Sequence, residues 1–464
     1  MPRQLTTRAQ VSGYRFGLSR AEHALIRRDA RMLADPMRSE LRALIGGAVI
    51  ALVLLAGAGI YGIIRPAPSV ADAEIVAADT GGLFVLVDGV MHPVPNLASA
   101  RLVIGEPSPV KNVTARSVSA YPRGPSLGIP GAPAGLPGPA DRRESTWTVC
   151  DDPAGGTAVI AGRPAAPPAS ARAGVLVRAG DEEWLLYQLR RDSVARPVRA
   201  RLRPESVAVR RALGLDGVAA RPVSAALLNA FPAEPELAVP EIPGAGGAGP
   251  ATLRETPVGT VVRSLGVDDA PSYFAVLADG VQPLTPVAAE ALRGADATAP
   301  GTVTQVAPAA LASVPVVHRL PLDGFPEAPP DLTESRAAGA EPVLCRSWSA
   351  VAGRPGVRES LLVTAHLPLP GGARVVTLSA ADGGGPGLDG VYLRPGTGEQ
   401  VAVPGGRYYI TDAGVRYPIA DADTAQMLGL PAEPEPAPWP VVSLLPAGPQ
   451  LSREAALVAR DLPR

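Results

Sequence analysis

Residues 43–64 read ALIGGAVIALVLLAGAGIYGII, an uncharged run of 22 residues that lies between Arg42 and Arg65. At 1.5 Å per residue a helix over this run would be about 33 Å long, enough to cross a hydrocarbon core of about 30 Å. The run therefore predicts a transmembrane helix at 43–64 with Arg42 and Arg65 at its two ends. It divides the chain of 464 residues into a short N-terminal segment and a large C-terminal one.

The apolar run also has a second reading, as part of a cleaved secretory signal with Ala71-Asp72-Ala73 as its cleavage site. Signals have apolar regions of about 7–15 residues within the first 15–30 or so, whereas this run begins at residue 43. We therefore expect an uncleaved anchor.

The segment 1–42 is basic, with nine arginines against four acidic residues. Because arginines accumulate on the cytoplasmic side of a membrane span, we expect a cytoplasmic N-terminus and an extracytoplasmic bulk, in a single-pass protein of the inner membrane. Ser19 and Glu22 form a capping-box pattern that favours a helix start, and Pro36 favours a helix end. Together they predict a basic helix between Ser19 and Pro36. Its apolar stripe would be Leu18, Leu25, Ile26, Met32 and Leu33. Such a helix could bind either anionic lipid or a partner subunit.

Composition limits the fold of the larger segment. The chain has 50 glycines and 53 prolines but is 46% hydrophobic, which favours a folded protein of short elements over a disordered one. Long helical bundles are excluded. The net charge of −1 gives the protein no overall positive potential that would attract nucleic acid.

Four copies of one pattern occur beyond the span, starting at Leu83, Trp184, Tyr273 and Tyr408. Each copy has an apolar run, a turn, a second run and a segment of helical spacing, and in the copy at Trp184 we expect the helix to open at Pro204. Asp-Gly between apolar runs is a strong hairpin signal. The turns in three copies are Asp88-Gly89, Asp279-Gly280 and Asp412-Ala413-Gly414.

Two longer strand segments, STWTVCDD and PVLCRSWSA, carry the only two cysteines, Cys150 and Cys345. Trp147 lies three residues before the first cysteine and Trp348 three residues after the second. In an oxidising compartment this mirrored pair predicts a disulfide that encloses the second and third copies, with two free buried thiols as the alternative.

These patterns predict an α+β fold, mainly β, in which one transmembrane helix is followed by an extracytoplasmic domain of four small hairpin-plus-helix repeats around a central β core. We divide the chain accordingly into a cytoplasmic segment at 1–42, the transmembrane helix at 43–64, repeat 1 at 72–117, core segment a at 118–175, repeat 2 at 176–248, repeat 3 at 249–332, core segment b at 333–400 and repeat 4 at 401–464.

The sequence offers little support for catalysis. A P-loop needs a lysine after a glycine-rich loop, and the only lysine, Lys111, has no such loop before it. The stretch GPGLDG at 385–390 fits a dinucleotide fingerprint but leads into a strand-like segment, and GPSLG at 124–128 fits a nucleophile elbow but precedes a segment that cannot be helical. The histidines have no metal-ligand spacing; they are His23, His92, His318 and His366. We assign no catalytic, cofactor or metal residue.

Aromatic residues open the four copies and could stack on glycan or belong to the module cores. They are Phe84, Trp184, Tyr273, Phe274, Tyr408 and Tyr409.

The opening MPRQLTTRAQVSGYRF, the span, HPVPNLASARL at 92–102, RGPSLGIPGAP at 123–133 and the paired cysteines together resemble the EccB family, the single-pass membrane subunits of actinobacterial type VII (ESX) secretion systems. The resemblance implies self-association and a membrane complex with EccD, EccE and the motor ATPase EccC. It also implies a structural core subunit that braces the periplasmic side of the export apparatus. Family members have been described as ATPases, so an ATP hydrolase is one alternative, and a membrane-anchored module that contacts peptidoglycan is another.

Overall fold

The computed structural model describes residues 7–31, 36–64, 70, 73–140, 144–153, 156–191, 194–266, 269–296, 301–333, 341–351, 356–383 and 385–460. The chain forms two compact units, residues 1–71 and residues 72–464.

The first unit contains helices Arg8–Arg27 and Pro36–Ile64. The prediction of a helix from Ser19 to Pro36 is wrong at both ends. The capping box is formed by Thr7 rather than Ser19. The Thr7 side chain accepts the Gln10 amide while the Gln10 side chain accepts the Thr7 amide at 2.9 Å, so the helix starts well before the predicted position. Arg28 ends the helix in the left-handed conformation, with φ at 52°. Pro36 opens the next helix, as its fixed φ allows at a first position. Met32 and Leu33 lie outside the described residues.

The second helix contains the whole of the predicted span. Residues Ser39–Gly62 have a mean hydropathy of 2.5, and none of that stretch is buried within the protein. By length and composition this helix can cross a membrane, and in the described part of the chain it is the one helix that can.

Each repeat in the second unit is built around a small sheet in which an antiparallel hairpin leads to a helix and then to a short strand. In spatial order the strands of repeat 1 are Val90–Val94, Leu83–Val87, Ile75–Ala78 and Val110–Val113. Those of repeat 3 are Gly280–Leu284, Pro271–Leu277, Val261–Leu265 and Thr304–Gln305. Those of repeat 4 are Arg416–Ile419, Gly406–Thr411, Gly398–Val403 and Glu435–Pro436.

Repeat 2 has the same plan with one more strand. Its order is Arg221–Pro222, Gly174–Ala179, Glu182–Arg191, Val194–Arg201 and Ala233–Glu234. In all four repeats the sheet therefore begins one strand earlier than the sequence copies recognised above.

The main helices follow the hairpins as expected, and most are capped by a side chain that accepts an amide of the first turn. The helices are Leu97–Ile104 and Ala115–Ser119 in repeat 1, Val207–Ala212 and Ala225–Ala230 in repeat 2, Pro286–Ala295 and Pro308–Ala312 in repeat 3, and Ala422–Met427, Trp439–Val442 and Arg453–Ala456 in repeat 4, with a 3-10 turn at Ala251–Leu253.

Two local predictions need correction. The repeat 2 helix begins after Ser206 rather than at Pro204, which lies in a turn. In repeat 3 the two-residue hairpin loop is Ala278-Asp279, and Gly280 already pairs with Leu277. A glycine is needed at 280 because a Cβ there would lie 2.3 Å from the Pro315 carbonyl oxygen.

The central β core is a six-stranded sheet in the order Val357–Thr364, Val343–Val351, Glu144–Asp152, Gly156–Ala161, Gly390–Tyr392 and Val376–Thr377. Its strands come from both predicted core segments. We refer to it as the central sheet.

The repeats pack in two pairs. Repeats 1 and 4 share one apolar cluster, and strand Ser126–Leu127 pairs with Ala459–Arg460 beside it. Repeats 2 and 3 share a second cluster. A third cluster joins one face of the central sheet to repeats 2 and 4. The predicted fold class, four hairpin-plus-helix repeats around a central β core, is confirmed. Strands Gly174–Ala179 and Gly398–Val403 cross two of the segment boundaries given above, and the division into segments stays a prediction.

Candidate functional site

The centre of the molecule is the pair of strands that carries the cysteines. Strands Glu144–Asp152 and Val343–Val351 run antiparallel, so that Cys150 lies opposite Cys345 and Trp147 opposite Trp348. The two cysteines are joined by a disulfide and are fully buried. The mirrored Trp-x-x-Cys and Cys-x-x-Trp spacing is thus explained by the antiparallel register, because residues at equal distances from the two cysteines face each other across the paired strands.

A buried ion pair attaches repeat 2 to this sheet. Arg221 donates to the Asp151 carboxylate at 2.9 Å and to the Asp151 carbonyl at 3.0 Å, and both side chains are almost wholly buried. The other carboxylate oxygen of Asp151 accepts the amide of Ser224 at 2.6 Å, next to a helix start. Since a buried charge is costly unless it is paired, this contact fixes the position of repeat 2 against the central sheet.

A cleft of about 730 Å³ lies at the outer strand of the central sheet. Its walls are strand Val357–Thr364, the proline-rich loop 163–168 and the start of strand Val194–Arg201 in repeat 2, and we call it the edge cleft. Glu144 at its rim accepts hydrogen bonds from Arg163 and Arg358, and these bonds hold the pKa of the Glu144 carboxyl below its usual range.

The residues predicted to flank the membrane are only partly described. Arg42 lies exposed within helix Pro36–Ile64, whereas Arg65 lies outside the described residues.

The motifs that suggested chemistry have structural roles. Lys111 lies on the short strand Val110–Val113 of repeat 1, paired with Val76, with no phosphate-binding loop before it. In the stretch at 385–390, Gly390 opens a strand rather than a helix. The Asp389 carboxylate beside it accepts three backbone amides, those of Thr157, Asp382 and Gly383.

The other two candidates also lack the geometry of a catalytic or metal site. Ser126 of the elbow-like stretch lies in a two-residue strand and donates to the Pro93 carbonyl at 3.2 Å. His92 Nδ1 lies 2.9 Å from the Pro125 carbonyl oxygen. Among the described residues, no group of three or more His, Cys, Asp or Glu side chains could hold a metal ion.

The aromatic residues at the starts of the repeats are largely covered. Phe84 and Tyr409 are buried, and the other four are half-buried. Arginine guanidinium groups lie over three of the rings, at 4.7 Å from Phe84, 5.1 Å from Trp184 and 5.6 Å from Tyr408. Because these ring faces are already occupied by cation–π contacts, the arrangement favours module cores over glycan platforms.

Known proteins match the chain over nearly its whole length. The family model described as "Type VII secretion system ESX-1, transport TM domain B" matches residues 3–463. The ESX-3 secretion system ATPase EccB3 of Mycolicibacterium smegmatis (strain ATCC 700084 / mc(2)155) is 38% identical over 490 residues, which cover 99% of this chain and 92% of the relative.

Solved structures match as well. A chain in the structure of an intact ESX-5 inner membrane complex (composite C3 model) aligns with a TM-score of 0.72 and 35% identity, covering 100% of this chain and 98% of that one. A chain of the periplasmic assembly from the ESX-5 inner membrane complex aligns with a TM-score of 0.71 and 34% identity, covering 87% and 98%. The EccB3 dimer from the ESX-3 core complex aligns with a TM-score of 0.68 and 35% identity, covering 83% and 100%.

The sequence motifs, the membrane-length helix, the bridged central sheet and these matches agree, and they show that the chain belongs to the EccB family of type VII secretion systems.

Proposed function

We propose that this protein is a structural core subunit of a type VII secretion membrane complex. The observation that carries the proposal is the full-length match to a chain of an ESX-5 inner membrane complex. The structure fits a bracing role, because four similar modules packed around one bridged sheet present many rigid surfaces.

The proposed location is the inner membrane with the bulk of the chain in the periplasm. A membrane-length apolar helix precedes the large unit, and that unit resembles a periplasmic assembly. The nine arginines before the span favour a cytoplasmic N-terminus. A reporter that is active only outside the cytoplasm should therefore work when fused after residue 73 and fail when fused before residue 1. The reverse result would contradict the orientation.

The partners we propose are further copies of the chain and the other ESX membrane subunits, EccC, EccD and EccE. Relatives occur as a dimer and within an inner membrane complex, which supports both kinds of contact. Helix Arg8–Arg27 is exposed along its length and carries an apolar stripe of Val11, Tyr14, Leu18 and Leu25 at helical spacing. This stripe is our candidate contact for a partner subunit on the cytoplasmic side. Contact with peptidoglycan has weaker support, because the aromatic rings that suggested it are covered.

The second candidate function is ATP hydrolysis, because a relative of 38% identity is called an ATPase. If the chain hydrolysed ATP with Lys111, the Lys111→Ala variant of the full-length protein would lose turnover. We expect turnover near background and no change in the variant. Saturable hydrolysis that survives repurification and is lost in a point variant of this chain would instead favour the enzyme.

Affinity purification of the full-length chain from its native membrane, in mild detergent, tests the main proposal. Co-elution of the other ESX membrane subunits in a large particle is expected. Elution of the chain alone, under conditions in which those subunits stay together, would contradict it.

A further inference from the structure

A second cavity, of about 300 Å³, lies where repeats 2 and 3 meet, and we call it the inter-repeat cavity. One wall is the end of strand Glu182–Arg191 together with the loop that precedes strand Gly174–Ala179. The other wall is the segment 323–330, near the end of repeat 3. Small-molecule sites in proteins begin at about 300 Å³, so the cavity suits a small molecule rather than a protein segment.

The wall formed by the segment 323–330 is attached to repeat 2 at both of its ends. At one end the buried Tyr187 hydroxyl donates to the Gly324 carbonyl. At the other end the Asp331 amide donates to the Arg172 carbonyl at 2.7 Å, and the Gly174 amide donates to the Asp331 carbonyl at 3.1 Å. Three of the residues between these points are prolines, which restrict the backbone. The cavity is therefore preformed, and a ligand does not have to order this segment when it binds.

Charged side chains of both signs line the cavity without pairing with each other. Arg172 and Arg190 lie on the first wall, and Asp323 and Glu327 lie on the second. All four are exposed, and in the described part of the chain none of them has an oppositely charged nitrogen or oxygen atom within 4.0 Å. Asp331 also lies beyond that distance from Arg172, and its carboxylate is bonded to a backbone amide. The lining is thus neutral as a whole, but its two walls differ in charge.

This distribution of charge discriminates between classes of ligand. A simple anion would bind the arginines but be repelled by the carboxylates, and a simple cation would be repelled by the arginines. A zwitterion can satisfy both walls, because its carboxylate accepts hydrogen bonds from guanidinium groups while its ammonium donates to carboxylates. Hydrogen bonds between charged groups are about twice as strong as those between neutral ones.

The inner part of the cavity is apolar. Tyr187, Leu189 and Phe325 contribute to its lining and are almost wholly buried. An aliphatic group of a ligand that packs against them would be removed from water, which is favourable in proportion to the area covered. A mostly apolar lining with a few polar groups is typical of small-molecule sites.

We propose that the inter-repeat cavity binds a small zwitterion of the amino-acid class, either a free amino acid or a dipeptide. Its carboxylate binds Arg172 and Arg190, its ammonium binds Asp323 and Glu327, and its aliphatic side chain packs against the apolar lining. The site is independent of the proposed place in the secretion complex.

Isothermal titration calorimetry on the full-length protein in detergent tests the proposal, with the dipeptide alanyl-leucine as the probe. We expect saturable binding of this dipeptide. N-acetyl-alanyl-leucine, which lacks the ammonium, and alanyl-leucinamide, which lacks the carboxylate, should each bind about tenfold more weakly or worse, since one lost charge-assisted contact of about 1.4 kcal/mol corresponds to that factor. Free leucine separates the two sources of such a ligand: affinity equal to that of the dipeptide supports an amino acid, and weaker affinity supports a dipeptide.

Two variants assign each end of the ligand to its wall. Arg190→Gln should weaken alanyl-leucine about tenfold but should not weaken alanyl-leucinamide, which has no carboxylate to lose a partner. Asp323→Asn should weaken alanyl-leucine by a similar factor but should not weaken the N-acetyl form. Both residues are exposed, so circular dichroism and the melting temperature should stay near those of the parent protein.

The matched control is Arg211→Gln, also in repeat 2, where the Arg211 side chain is 68% exposed, lies 3.7 Å from Asp216 and does not line the cavity. Binding of alanyl-leucine to this control should equal binding to the parent protein. The proposal would be overturned by any of three results: no saturable binding to the parent, equal affinities for the dipeptide and its two blocked forms, or an equal loss of affinity in Arg190→Gln and in the control.

Discussion

The two pairs of repeats are built from the same module but are held together in different ways. Repeats 1 and 4 come from opposite ends of the second unit and meet through polar contacts to backbone as well as an apolar core. Arg101 of repeat 1 donates to the Leu428 carbonyl of repeat 4 at 2.6 Å. Tyr409 and Arg460 of repeat 4 donate to the Pro137 carbonyl at 3.0 Å and the Gly128 carbonyl at 2.9 Å, in the segment that follows repeat 1. These contacts close the unit end to end without a covalent link.

Repeats 2 and 3 are consecutive in the chain and combine close packing with one buried polar contact, in which the Tyr187 hydroxyl donates to the Gly324 carbonyl. Their helices Val207–Ala212 and Pro286–Ala295 approach so closely that a Cβ at Gly294 would lie 3.4 Å from that of Ala208. This pair lies inside the loop of 195 residues that the disulfide closes, and Arg221 pairs with Asp151 beside it. The comparison suggests that the module itself is weak, and that each pair needs its own attachment.

The largest decrease in stability is expected from the loss of the buried ion pair between Asp151 and Arg221. Asp151→Asn leaves the Arg221 guanidinium buried without a countercharge, and such a change costs about 3–5 kcal/mol. Thermal unfolding of the full-length protein should show a clear decrease in melting temperature. The matched control is Asp279→Asn, which breaks the exposed pair with Arg319 and should cost at most about 1 kcal/mol. Equal effects of the two variants would show that the pair does not anchor repeat 2.

The next largest decrease in stability is expected from the loss of the disulfide. Cys150→Ser, Cys345→Ser releases the loop that contains repeats 2 and 3, for which we expect a cost of about 2–4 kcal/mol. Either single variant should behave like the double one, because each breaks the same bond. Hydrogen exchange should rise more in repeats 2 and 3 than in repeats 1 and 4. Equal loss of protection in both pairs would mean that the bond stabilises the unit as a whole rather than this pair.

The smallest effect compares two helix caps. Asn96 in repeat 1 accepts the Ser99 amide at 2.8 Å and also donates to the buried Ile129 carbonyl at 2.9 Å, whereas Thr285 in repeat 3 accepts only the Ala288 amide, at 3.1 Å. Thr285→Ala should cost about 1 kcal/mol, the usual value for a cap. Asn96→Ala should cost about 0.5–1.5 kcal/mol more, because it also removes the hydrogen bond to the Ile129 carbonyl, which keeps only the Ala132 amide at 3.3 Å. Chemical denaturation of both variants measures the difference, and equal costs would show that the bond to Ile129 does not stabilise the contact between repeat 1 and the segment that follows it.

The sequence predicts local features of this fold well where short-range chemistry determines them. The turn at Asp88-Gly89 has both φ angles positive, 49° and 76°, as an Asp-Gly hairpin turn requires. The disulfide between Cys150 and Cys345 was likewise predicted from the mirrored spacing together with the oxidising compartment. The N-terminal helix was misplaced because Ser19 with Glu22 and Thr7 with Gln10 fit the same capping pattern, and local sequence does not rank them.

Contacts between distant parts of the chain could not be predicted from the sequence. The packing of repeat 1 against repeat 4 joins residues as far apart in the chain as Arg101 and Leu428, and the strand Ala459–Arg460 beside it is only two residues long and carries no periodicity. The edge cleft brings together Glu144, Arg196 and Arg358, which are separated by more than 200 residues from first to last. None of these residues stands out in its own segment, since isolated surface charges are common.

Peptide mapping of the unreduced full-length protein, alkylated in denaturant, tests the central claim most directly, because that claim is a disulfide-bridged central sheet in an oxidising compartment. The account predicts one linked species that contains both Cys150 and Cys345, with no alkylated cysteine, and its loss on reduction. Two alkylated cysteines in protein taken from its native membrane would contradict the account.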